Sequence, residues 1–110
     1  MKMILYHNRN CSKSRECFKI LEKKKINFQI REYMKNPLSL EELLTIIENL
    51  STKLDEIIRN KKKIDLNKIS KKELCQFLFD NPKEIQRPIF FDGSTYTVCR
   101  PPEKVLEVIK

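Results

Sequence analysis

Residues 3–30 read Met3-Ile-Leu-Tyr-His-Asn-Arg-Asn-Cys11-Ser-Lys-Ser-Arg-Glu-Cys-Phe-Lys-Ile-Leu-Glu-Lys-Lys-Lys-Ile-Asn-Phe-Gln-Ile30, and this stretch decides the fold. Met3 to Tyr6 is a short continuous apolar run, the pattern of a strand covered on both faces. Ile26, Phe28 and Ile30 alternate as a second strand does. Between them Cys17, Phe18, Ile20 and Leu21 recur at three- and four-residue spacing, which predicts a helix from about Ser12 to Lys25. The three together form a βαβ unit with Cys11 at its first turn.

Working outward, two further helices carry capping boxes, in which a serine hydroxyl and a glutamate three residues later satisfy the backbone N–H groups left open at a helix start. Ser39 with Glu42 opens a stripe of Leu40, Leu43, Leu44, Ile47 and Leu50; Ser70 with Glu73 opens Leu74, Phe77 and Leu78 and stops before Asn81-Pro82. A short helix is expected from Leu54 to Ile58. Ile89-Phe-Phe91, Asp92-Gly93 and Thr95-Tyr-Thr-Val98 form a hairpin signal that uses the only glycine of the chain. A last helix follows, with Pro101 or Pro102 in its first turn and Val105, Leu106 and Ile109 facing inward. The fold class is therefore α/β, with a β-α-β unit and a β-β-α unit joined by a helical segment over about 35–85. No repeat or linker divides residues 1–110, which read as a single domain.

A chain of 110 residues with 40% hydrophobic side chains can bury a core of its own. Its apolar runs are too short to cross a bilayer, and no signal-peptide core opens it, so a cytoplasmic location is expected. Four cysteines, at 11, 17, 75 and 99, are then expected to be reduced thiols. They have no second close pair of Cys or His ligands with which to build a metal site. The net charge is +8, but 17 of the 23 basic residues are lysines scattered without interleaved aromatics. That pattern reads as solvated helix faces, with no nucleic acid and no membrane as partner.

The chemistry centres on Cys11. A sulfur held where a helix begins sits in the positive end of the helix dipole, which favours thiolate over thiol. Further ionisation asks for cations, for which Arg9, Arg15 and His7 are close in sequence, while Ser12 and Ser14 offer hydroxyl donors. The loop also presents backbone N–H groups, as anion sites at helix starts do. A nucleophile lining an oxyanion pocket is the natural inference.

The segment Tyr6-His-Asn-Arg-Asn-Cys11-Ser-Lys-Ser-Arg15 resembles the active-site loop of the glutaredoxin-coupled arsenate reductases. The resemblance continues at Ile57-Ile-Arg59-Asn, at Gln86-Arg87-Pro88-Ile and at Val98-Cys-Arg100-Pro-Pro-Glu103, and covers nearly the whole chain. It implies a thioredoxin-like fold in which Pro88 takes the cis position facing Cys11. It also implies reduction of arsenate to arsenite: Cys11 attacks arsenic, glutathione attacks the adduct, and glutaredoxin resolves the mixed disulfide. Arg59, Arg87 and Arg100 would bind the oxyanion and offset its charge, and a planar guanidinium suits a tetrahedral oxyanion better than an ammonium does. His7 would support the thiolate electrostatically. Ser12, Ser14, Arg15 and Pro88 complete the substrate-binding set, glutathione is a co-substrate with no bound cofactor, and a monomer is implied.

Two departures qualify the resemblance: Arg9 and Asn10 stand where the family carries proline and a small residue, and the chain ends sooner after its last helix than arsenate reductases do, closer to the Spx-like proteins. One alternative reading is an Spx-like regulator that binds RNA polymerase. Such regulators use a Cys-X-X-Cys disulfide, and here Ser14 occupies the second position. Another is a general glutathione-dependent thiol reductase without arsenate activity. Cys17 lies nearly two helical turns from Cys11, roughly 9 Å along the axis, too far to resolve it. Cys17 and Cys75 read as packing residues, and Cys99 adjoins Arg100 without being expected as the nucleophile.

Overall fold

A computed structural model describes residues 2–109. Strand β1 is Ile4–His7 and helix α1 is Ser12–Lys23. The helix closes on a Schellman motif: Ile26 N–H donates to the Leu21 carbonyl (3.1 Å) and Lys25 N–H to that of Glu22 (3.0 Å). Lys25 takes the left-handed position usually given to glycine, at φ 57°. This turn and the pairing Ile4↔Gln29 delay strand β2 to Gln29–Glu32. The second strand thus starts later than the alternation of Ile26, Phe28 and Ile30 suggests. Ile26 and Phe28 instead pack at the end of α1, where Phe28 meets Phe18 edge to face (5.8 Å), and Ile30 is 46% exposed on an edge strand.

Helices α2 (Leu40–Glu48) and α3 (Lys71–Asp80) begin at Ser39 and Ser70, and both capping boxes are formed in full. Leu43, Ile46 and Ile47 are buried from α2, whereas Leu40, at the solvent end of the expected stripe, is exposed. Between the helices the expected helix near Leu54 is a 3-10 turn, Leu54–Ile57.

Strands β3 (Ile89–Phe91) and β4 (Tyr96–Val98) form the hairpin, with Gly93 at φ 104° in its turn. The sheet order is β2-β1-β3-β4, with β1 parallel to β2 and the other neighbours antiparallel. The last helix is a 3-10 segment, Pro102–Glu107, rather than α-helical. Its three-residue period points Pro102 and Val105 inward and leaves Leu106 exposed, against the inward position expected for that leucine.

Each face of the sheet is covered. Leu5 and Phe90 pack against Cys17 and Leu21 of α1 and Val105. Tyr6, Ile89 and Val98 pack on the other side against Leu43, Ile46, Ile47, Leu74 and Leu78 of α2 and α3. Burial of β1 on both sides accounts for its unbroken apolar run. No described helix is long and apolar enough to cross a membrane.

Candidate active site

The C-terminal end of β1 runs into a tight loop. Cys11 N–H donates to the Asn8 carbonyl (2.9 Å), Asn10 N–H to Asn8 Oδ1 (3.0 Å), and Arg15 N–H to the Cys11 carbonyl (3.0 Å). Cys11 is consequently the N-cap of α1, half-buried, with extended backbone and the open N–H groups of the first turn beside its sulfur.

Burial pushes the Cys11 thiol up, but this is outweighed, and its pKa lies below the ordinary cysteine value. The opposing contributions are the Ser14 backbone N–H, the guanidinium groups of Arg87 and Arg100, and the Lys13 backbone N–H. Arg100 Nη1 points at the sulfur from 3.7 Å and donates to the Arg87 carbonyl at 2.8 Å. Arg87 is 7% exposed, and its Nη1 donates to the carbonyls of Lys83 (2.8 Å) and Ile85 (3.4 Å). The Arg87–Pro88 peptide is cis, and the Pro88 carbonyl accepts from Cys99 N–H (2.9 Å), tying this corner to the end of β4. A second cis peptide joins Arg100 to Pro101.

Not every residue expected at the sulfur reaches it. Arg59 is exposed; its backbone N–H donates to the Glu84 carbonyl (2.8 Å), and its charge acts on the Glu84 carboxylate. Arg9 is turned to the sheet edge in a two-pronged pair with Glu32 (2.7 and 2.9 Å), and Arg15 Nη1 donates to the Arg9 carbonyl (2.8 Å). Both arginines are thereby committed to holding the loop. Ser12 is exposed in the first turn of α1.

The Ser14 side chain is fully buried, and the hydrogen bonds of its hydroxyl go to the loop backbone and to His7. The oxygen accepts from Asn8 N–H (3.1 Å) and lies 2.6 Å from His7 Nδ1. The Ser14 hydroxyl and His7 Nδ1 share one hydrogen bond, in which either atom can be the donor. Burial lowers the His7 pKa, with Arg9 and Arg15 adding to the drop and Glu32 opposing it. His7 meets Ser14, its imidazole tilted against Phe18 (5.6 Å), and the Ser14 backbone N–H meets the sulfur.

Two residues passed over by the sequence reading belong to this corner. Asn8 shapes the loop through its carbonyl, its side chain and its N–H. Tyr33 follows β2 directly and is 1% exposed, and its phenol lies close enough to Arg87, Asn8 and Cys11 to respond to each. A tyrosine after a strand end carries no local signal of such a position.

The other three thiols are buried. Cys17 and Cys99 touch one another, and that contact together with burial drives the Cys17 pKa upward. Burial likewise raises Cys75. Cys11 is thus the only cysteine that is both accessible and acidified, the combination a nucleophile requires.

Comparison with known proteins gives a consistent picture. The sequence profile of the ArsC family matches residues 6–108. An arsenate reductase of Haemophilus influenzae is 35% identical over 116 residues, spanning 99% of this chain and 100% of that protein. The solved structure of an arsenate reductase from Vibrio cholerae superposes with a TM-score of 0.85 at 33% identity, over 99% of this chain and 98% of the other. The global transcriptional regulator Spx of Lactiplantibacillus plantarum is 29% identical over 82% of this chain and 73% of its own length.

Proposed function

The chain belongs to the ArsC family, and from that membership we propose that it is a thiol-dependent reductase taking arsenate to arsenite at Cys11. The observation that carries this reading is an accessible, acidified thiol with Arg100 Nη1 at 3.7 Å and the buried Arg87 beside it. A thiolate flanked by two guanidinium groups and open helix N–H groups suits a tetrahedral oxyanion, whose arsenic the sulfur attacks while an oxygen leaves as water. Arg59, which is exposed, is assigned as a third cation for the anion.

Burial of Cys17, Cys75 and Cys99 supports an external resolving thiol, which we take to be glutathione. Its sulfur attacks the Cys11 sulfur of the arsenic adduct; a disulfide forms, the sulfur–arsenic bond breaks, and arsenic keeps the electron pair as arsenite. Glutaredoxin then attacks the mixed disulfide and returns Cys11 as thiolate. Two thiols are oxidised for each arsenic reduced by two electrons.

Similarity to Spx supports a second reading, a regulator of transcription. A disulfide between Cys11 and the third residue after it is not open to this chain, since Ser14 stands there with its hydroxyl held by His7. Mass spectrometry after mixing protein, arsenate and glutathione, without glutaredoxin, tests the choice. A glutathione adduct on Cys11 that forms only with arsenate is expected; its absence overturns the reductase reading.

A further inference from the structure

Sheet register brings a row of polar side chains to one height. The pairing His7↔Glu32 places Tyr33 level with Asn8 on one side, and Tyr6↔Ile89 continues so that Arg87 is level with it on the other. Arg100 follows beyond Arg87, joined to its carbonyl. Tyr33 packs in the cluster that holds Tyr6, Ile89 and Val98.

Within the row two donors are unspent. Tyr33 Oη and Arg87 Nε are buried without a hydrogen-bond partner, and among the described residues only Thr52 Oγ1 shares that condition. Buried donors are nearly always satisfied; the Tyr33 hydroxyl has Arg87 and the Asn8 side chain near it without a hydrogen bond formed to either, so an acceptor arriving at the nucleophile would complete both orphaned groups. Burial pushes the Tyr33 phenol up to about 12; the Arg87 guanidinium, by its charge and its reach toward the hydroxyl, and the Asn8 side chain oppose the rise, and the Cys11 sulfur adds to it. The hydroxyl therefore remains a proton-bearing donor at neutral pH.

We propose that Tyr33 is an oxyanion ligand, its hydroxyl donating, together with Arg87 Nε, to an oxygen of the tetrahedral anion held against Cys11. The assignment rests on the oxyanion reading of the site and adds to it a neutral donor on the β2 side. Donation from an uncharged phenol strengthens the grip on that oxygen without adding charge beside the thiolate.

Tyr33→Phe tests it, with inorganic arsenate, phosphate and sulfate as probes and protection of Cys11 from iodoacetamide as readout. Removing an orphaned hydroxyl relieves a buried unsatisfied group, so the anion-free variant is expected to unfold at the same temperature as the native protein or a higher one. Half-protection by arsenate is expected to require about tenfold more anion, the loss of one hydrogen bond to a charged group. Unchanged half-protection overturns the proposal, and so does a lower unfolding temperature, which marks the hydroxyl as structural. Should none of the three anions protect the native protein, the oxyanion reading itself falls, a result distinguishable from failure of Tyr33 alone.

Discussion

Cys11 owes its reactivity to what faces its sulfur, and the strongest side-chain partners come from far along the chain. Arg87 and Arg100 oppose burial at the sulfur together with the backbone N–H groups of Ser14 and Lys13. Arg100→Ala should therefore move the midpoint of the alkylation–pH profile upward, toward that of an unperturbed cysteine, and slow alkylation at pH 7 several-fold. An unmoved midpoint would remove Arg100 from the account. His7 gives a separate pH signature. Its pKa is lowered in the fold and returns to about 6.5 on unfolding, so below that pH the unfolded chain binds a proton the folded chain refuses. Stability should be level above pH 7 and fall as pH drops through about 6.5, before the carboxylates titrate. Because His7 is the only histidine, His7→Gln should flatten that step in urea titrations. Cys11, Arg87 and Arg100 were legible because each sits in a short motif. The lowered pKa of His7 was not, since it follows from burial in the fold, with Arg9 and Arg15 adding to the drop. The same holds for Ser14, whose part at the sulfur passes from hydroxyl to backbone.

At the level of elements, local chemistry was easy to read and register was not. The boxes at Ser39 and Ser70 involve residues three apart, so the sequence alone exposes them, and Ser70→Ala should cost about 1 kcal/mol in chemical denaturation. The start of β2 depends on how α1 ends. Its cap places Lys25 at φ 57°, where a side chain costs energy that glycine does not. Lys25→Gly should accordingly stabilise the protein by roughly 0.5–1 kcal/mol, a change that urea unfolding resolves; destabilisation would argue against this cap. The final segment shows the same limit. Val105, Leu106 and Ile109 have α-helical spacing, and a 3-10 period leaves Leu106 in solvent.

Across the whole molecule, the sheet gathers chemistry at one end of β1: Cys11 on its loop, Tyr33 beside it, Arg87 and Arg100 from the two ends of the hairpin. The remaining thiols are buried in the core, Cys17 on the inner face of α1 with Cys99 against it and Cys75 on α3. The class of fold and the place of the nucleophile were visible in residues 3–30, whereas the row Tyr33, Asn8, Arg87 emerges only when three strands are aligned. An external resolving thiol implies that a Cys17→Ala, Cys75→Ala, Cys99→Ala triple variant loses stability but keeps turnover when assayed below its unfolding transition. The central claim is tested most directly by NADPH oxidation with arsenate, glutathione, glutaredoxin and glutathione reductase, comparing the native protein with Cys11→Ser. Arsenate-dependent oxidation that vanishes in the variant is the expected result; no dependence on arsenate, or equal rates in the two proteins, would contradict the account.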